Sequence, residues 1–186
     1  MGARSSHEMC EDPVRDGPSS SKDLVQLDQT AKRIKSKVYV GGRIDGIACR
    51  VSNKRKFTHV LCLEQDTKYP DPEAKYEFMH APLKDNGTTN LERFVKTIEP
   101  FVVAGSTNGK LLIHCSLGCN RAPTIATWYL IKFRKMTFEE AFDLVRSRRQ
   151  GVNIHPKYEA FLRKVASNYS PMGKKKLAQR VRQKRI

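Results

Sequence analysis

Apolar positions change their spacing several times along the chain, and each change marks an element. KVYVGG (37–42) closes on a glycine turn, and THVLCLE (58–64) and YEFMHAPL (76–83) have strand length and strand composition, so three strands are predicted. KLLIHC (110–115) is an unbroken apolar run, which predicts a central strand buried on both faces. Elsewhere the period lengthens. Phe94, Val95, Ile98, Phe101 and Val102 repeat at helical spacing behind Thr89-Asn90-Leu91-Glu92, a Thr-x-x-Glu capping box, and predict a helix over 90–104 that GSTNG (105–109) ends.

Further helices are expected over 44–56, over ATWYLIKFRK (126–135), from a second capping box at Thr137-Phe138-Glu139-Glu140 towards Gly151, and from His155-Pro156 to Tyr169. Arg146, Arg148 and Arg149 fall in the last turns of the 137–151 helix, where positive charge suits the dipole. A short helix over Leu24–Ile34 leads in, and DTKYPDPEAK (66–75), with its two prolines, is a loop. Strands alternating with helices predict an α/β fold, a central and mostly parallel sheet flanked by helices, in one domain over 37–170. Residues 1–36 are expected to be mostly disordered and 171–186 to form a basic disordered tail.

Charge changes the picture more than composition does. The 186 residues carry a net +16, unevenly spread: residues 1–36 are neutral, and the last thirteen, KKKLAQRVRQKRI, hold seven basic side chains and no acidic one. Such a balance favours polyanionic partners: phosphoproteins, nucleic acid or an anionic membrane. No apolar stretch reaches the ~18 residues that a membrane-spanning helix needs. Five Cys, an odd number without a CxxC pair or a secretory leader, suggest a reducing cytoplasmic or nuclear compartment and no disulfide stapling.

LLIHCSLGCNR (111–121) carries the chemistry. A buried strand ending at Cys115 and a helix beginning near Arg121 leave Ser116, Leu117, Gly118, Cys119 and Asn120 to wrap their amides into a nest for a dianionic phosphate. The same field is expected to lower the Cys115 pKa and make its thiolate the nucleophile. Arg121 can fold back and grip two phosphate oxygens with its planar fork. His114 points to the other side of the strand and is given a supporting role, bonding loop carbonyls. Cys49 and Cys62 are read as inert core thiols.

With this run on the page, the chain resembles the cysteine-dependent dual-specificity protein phosphatases of the small, atypical type, over about Lys37–Asn168. The resemblance rests on His114, Cys115, Gly118 and Arg121, on VYVGG and THVLCLE as opening strands, and on VNIHPKYEAFLRKV as the closing turn and helix. It implies a protein tyrosine phosphatase-like fold. It further implies hydrolysis of phosphotyrosine and phosphoserine or phosphothreonine through a cysteinyl-phosphate, with no metal or cofactor. A general acid is expected about thirty residues before the nucleophile, and Asp85 in KDNGTTN fills the place.

Two departures open alternatives. The family usually has Ser or Thr after the Arg to help break down the phosphoenzyme, whereas here stands Ala122, which suggests slow hydrolysis or a phospho-binding module with low turnover. Asn120 resembles the loop of phosphatases acting on RNA 5′-triphosphate ends, and with the charge it supports an RNA 5′-phosphatase; Asp85 disfavours that reading, and nucleic acid is the lesser partner. At the N-terminus, Met1-Gly2-Ala3-Arg4-Ser5-Ser6 matches an N-myristoylation signal on Gly2. Cys10 or the basic tail would supply the second anchor to an anionic membrane, and a nuclear address is the competing reading of the tail.

Overall fold

The computed structural model describes residues 25–26, 37–66 and 75–169. The expected disordered N-terminal segment, the proline loop at 66–75, Gly2, Cys10 and the basic tail lie largely or wholly outside these residues. Among the described residues five strands, β1 (Val25–Gln26), β2 (Lys37–Gly41), β3 (His59–Cys62), β4 (Glu77–His80) and β5 (Lys110–His114), form one sheet in the order β1-β2-β5-β3-β4. β2, β5, β3 and β4 run parallel, and only β1 is antiparallel. The expected lead-in helix is corrected here: Val25 and Gln26 pair with Val40 and Tyr39 as an edge strand. Backbone donors and acceptors on the outer side of β2 override local propensity.

Side-chain parity follows the parallel register and splits the core into two layers. Val38, Val40, Leu61, Leu111 and Ile113 point to one face, under the helices α2 (Leu91–Asn108), α3 (Arg121–Arg134), α4 (Phe138–Arg148) and α5 (Pro156–Tyr169). Tyr39, Val60 and Leu112 point to the other, where Cys49 and Phe57 complete a smaller cluster and α1 (Arg43–Ser52) lies over the strands. α3 is the centre of the thicker layer, with every residue from Arg121 to Ile131 buried.

Two helix ends differ from the sequence pattern. Asn90, not Thr89, caps α2, accepting the Arg93 N–H at 3.1 Å, while the Thr89 hydroxyl accepts the Lys84 N–H at 3.2 Å. The helix also runs on through the GSTN segment to Asn108. Val102, Gly105 and Ser106 are buried there, and packing outweighs the weak propensity of the segment. The second capping box forms as expected, Thr137 and Glu140 bonding each other's backbone N–H at 3.2 and 2.8 Å. Cys49, Cys62 and Cys115 are free thiols.

Candidate active site

β5 ends at His114 and α3 starts at Arg121, so Cys115–Asn120 form the expected loop between buried strand and buried helix. Its carbonyls are bonded from outside, one after another. The backbone N–H of Arg43, at the start of α1, donates to Ser116 O at 2.8 Å. Arg149 donates from Nη2 to Leu117 O at 2.7 Å and from Nε to Gly118 O at 2.8 Å. Asn153 N–H reaches Cys119 O at 2.9 Å, and Thr124 reaches Asn120 O from both its N–H, at 2.9 Å, and its hydroxyl, at 2.8 Å. In a trans peptide the N–H points opposite to the carbonyl of the same unit, so carbonyls held outwards turn the following amides inwards. That is the nest the sequence calls for.

Gly118 N–H donates to Cys115 Sγ at 3.3 Å, which identifies the sulfur as the atom the nest surrounds. Gly118 is needed twice over. Its φ is +72°, and a Cβ there would stand 2.5 Å from Arg149 Nη2.

Arg121 and Asp85 come to the same place from distant parts of the chain. Arg121 donates from Nη2 to Ser116 Oγ at 2.9 Å and from Nη1 to Leu63 O at 3.4 Å, and its Nε lies 3.3 Å from Asp85 Oδ1. Asn120 holds Asp85 by donating from Nδ2 to the carboxylate Oδ1 at 2.7 Å and to the Asp85 carbonyl at 2.9 Å. The same side chain accepts the His155 N–H on Oδ1 at 2.8 Å, so one buried amide ties the acid loop to the turn before α5. Tyr158 adds a hydrogen bond from its hydroxyl to the Lys84 carbonyl.

The Cys115 pKa corrects one expectation. Burial pushes the thiol up from its ordinary value; the Arg121 guanidinium and the amides of Ala122 and Gly118 pull it down without cancelling that push, and Asp85 adds to it. Depression of the pKa by the nest alone is not enough in this arrangement. Cys49, with burial and no compensating donor of this kind, is pushed up to about 12, as befits an inert core thiol.

His114 lies where β5 meets the loop. It is fully buried under α1, where its ring sets the close approach of Gly46: a Cβ on that glycine would lie 2.7 Å from Cε1. Its Nδ1 is 3.9 Å from Glu64 Oε1, and Glu64 in turn bonds Arg43 Nε at 2.9 Å. Burial lowers the His114 pKa to about 4, with Glu64 and the Cys115 backbone acting in the opposite sense. The residue is therefore neutral near pH 7 and hydrogen-bonded to the Cys115 backbone at the start of the loop. The Leu117 and Gly118 carbonyls are served by Arg149, which the sequence marked only as a helix-end cation. At Ala122 no hydroxyl is available, and Thr124 Oγ1 is committed to Asn120 O, so neither side chain presents an O–H to Cys115. Among the described residues no group of His, Cys, Asp and Glu is arranged to hold a metal ion.

Residues 38–168 match the family described as dual specificity phosphatase, catalytic domain. The chain belongs to that family. Dual specificity protein phosphatase 1B of Arabidopsis thaliana is 27% identical over 143 residues, covering 75% of this chain and 84% of that protein. Dual specificity protein phosphatase PHS1, also of Arabidopsis thaliana, is 30% identical over 120 residues, 61% of this chain but 13% of its own length. The chain likewise spans only 15% of MAP kinase phosphatase with leucine-rich repeats protein 3 of Dictyostelium discoideum. Among solved structures, human DUSP28 gives a TM-score of 0.61 at 21% identity over 78% of this chain and 93% of its own, and human tyrosine phosphatase-like serine/threonine/tyrosine-interacting protein gives 0.63 at 22% over 71% and 92%. These likenesses establish a protein tyrosine phosphatase-like fold, as the family resemblance implied.

Proposed function

We propose that the protein is a phosphatase that removes phosphate from phosphotyrosine and from phosphoserine or phosphothreonine in proteins, through a cysteinyl-phosphate. The observation that carries this reading is the meeting of Cys115, Arg121 and Asp85 around an inward-turned set of amides. In the first step Cys115 gives up its thiol proton to solvent, the resulting thiolate attacks phosphorus, the P–O bond to the substrate oxygen breaks, and Asp85 passes its proton to that leaving oxygen. Arg121, released from Ser116, follows the equatorial oxygens through the transition state. In the second step water attacks the phosphocysteine, Asp85 accepts a proton, and inorganic phosphate leaves with the thiolate restored. Membership of the dual specificity phosphatase family and names such as that of human Dual specificity protein phosphatase 5 among the relatives support phosphorylated proteins as the substrate class.

An RNA 5′-phosphatase is the second reading, and Asn120 with the net charge of +16 is its ground. The hydrogen bonds of Asn120 to Asp85 and His155 give that residue a role in holding an acid, which leaves the charge as the main support for RNA. Ala122 favours a slow second step. Rapid-quench hydrolysis of an aryl phosphate, beside a phosphopeptide panel and a γ-labelled RNA end, tests all three readings. Steady turnover of phosphopeptides, lost in Cys115→Ser and in Arg121→Ala, is the expected outcome, preceded by a burst of up to one equivalent. Hydrolysis confined to the RNA end would refute the protein-phosphatase reading, and a burst without turnover would replace it with a trap.

A further inference from the structure

α1 is built inside out. Its buried face is made of Gly46 and Cys49, the small residues that let it settle onto β2 and β5, while its aliphatic side chains stand on the opposite side. Ile44 is 53% exposed, Ile47 46% and Val51 78%; with spacings of three and four residues they form a single stripe along the outer face. These three, with Val103 of α2, are the exposed large aliphatic side chains among the described residues. From Arg43 to Lys56 the chain carries five basic residues and one acidic, and the acidic one, Asp45, is turned back to accept the Gly42 N–H at 2.8 Å. Arg50, Lys54 and Lys56 are exposed at the far end of the stripe.

We propose that this face of α1 docks the protein on an anionic lipid surface. A stripe of aliphatic side chains edged with Lys and Arg matches a bilayer interface, which offers the acyl boundary to Ile and Val and anionic headgroups to the basic side chains within a few ångströms of each other. A second copy of the chain fits less well, because two such faces would bring their basic residues together. The orientation is useful to the enzyme. Arg43 N–H, the first amide of α1, is bonded to the catalytic-loop carbonyl of Ser116 at 2.8 Å, so a molecule lying on this helix carries its phosphate loop at headgroup level. This docking face is separate from the N-terminal glycine and the basic tail, and does not depend on the reaction proposed above.

The test is sedimentation of the full-length, unacylated chain with vesicles of phosphatidylcholine alone and of phosphatidylcholine with phosphatidylserine. Binding is expected only to the second kind. Ile47→Ser with Val51→Ser should lower the partition coefficient about tenfold, the order expected when two aliphatic side chains no longer enter the interface. Lys54→Glu with Lys56→Glu should do the same and lower the salt dependence, the remainder of which belongs to the basic tail. Turnover of a soluble aryl phosphate should be unchanged in both variants, which shows that they are folded and separates this outcome from any failure of the catalytic reading. Vesicle binding by the Ile47/Val51 variant equal to that of wild type would overturn the proposal, as would a wild-type chain that ignores both kinds of vesicle. If the Ile47/Val51 variant instead loses a dimer or loses activity only towards phosphoproteins, the stripe belongs to a protein partner and the lipid assignment is wrong.

Discussion

Replacing Asn120 with Ala deletes three hydrogen bonds at once: two to Asp85, at 2.7 and 2.9 Å, and one from the His155 N–H at 2.8 Å. Two backbone groups, the Asp85 carbonyl and the His155 N–H, lose their Asn120 partner, and an unsatisfied buried group costs about 1–3 kcal/mol. The Asp85 side chain is 31% exposed, so water recovers part of the loss and about 2–4 kcal/mol is the expected destabilisation. For a domain of this size that lowers Tm by on the order of 10 °C. The kinetic consequence is more selective. General acid catalysis contributes about 10²- to 10⁴-fold, and an untethered acid keeps only part of it, so turnover of a poor leaving group such as phenyl phosphate should fall about 10- to 100-fold. An activated aryl phosphate, whose leaving oxygen needs no proton, should be affected less than about threefold. Inhibition by inorganic phosphate should stay near the wild-type value, because Cys115, Arg121 and the loop amides remain. The deciding measurement is a double-mutant cycle with Asp85→Asn on the poor leaving group. Asn120→Ala should add almost nothing once Asp85 is gone; additive losses, or equal losses on both leaving groups, would refute the idea that Asn120 works by positioning Asp85.

His114 sets a pH dependence of stability. Its pKa is about 4 in the fold against 6.5 for the ordinary side chain, so between these values the unfolded chain binds a proton that the folded chain does not. Stability therefore falls as pH drops from about 6.5 towards 4, by at most about 3 kcal/mol from this residue, and denaturant midpoints for wild type and His114→Gln should have different slopes across that range. Arg149→Ala, by freeing the Leu117 and Gly118 carbonyls, should raise KM for an aryl phosphate and lower kcat, together about 10-fold or more, and Arg149→Lys should rescue little because one ammonium does not reproduce the two-point grip. Equal activity in all three forms would show that the loop holds its shape without the clamp.

What could be read in the sequence, and what could not, divides along contact distance. The strand KLLIHC, the loop behind it and the start of α3 are contiguous, and the chemistry of a nest at a helix N-terminus needs only local residue types, so Cys115 and Arg121 are legible from one stretch of chain. Asp85 could be placed because its spacing from the nucleophile belongs to a known family pattern. Arg149 could not. It lies 31 residues after Gly118, and nothing in its neighbourhood distinguishes a helix-end cation from one whose guanidinium meets two loop carbonyls. The direction of the Cys115 pKa was misread for the same reason: amides, dipole and guanidinium are local, whereas the burial that outweighs them is created by the whole layer of helices above the sheet. α1 shows the converse. Its pattern, read alone, gives an ordinary amphipathic helix, and only the parity of β2 and β5 reveals that the side facing inward is the one with the small residues. Amphipathicity fixes that a helix has two faces; which of them meets the core is decided by the space the sheet leaves, and in this protein the space beside His114 admits a glycine.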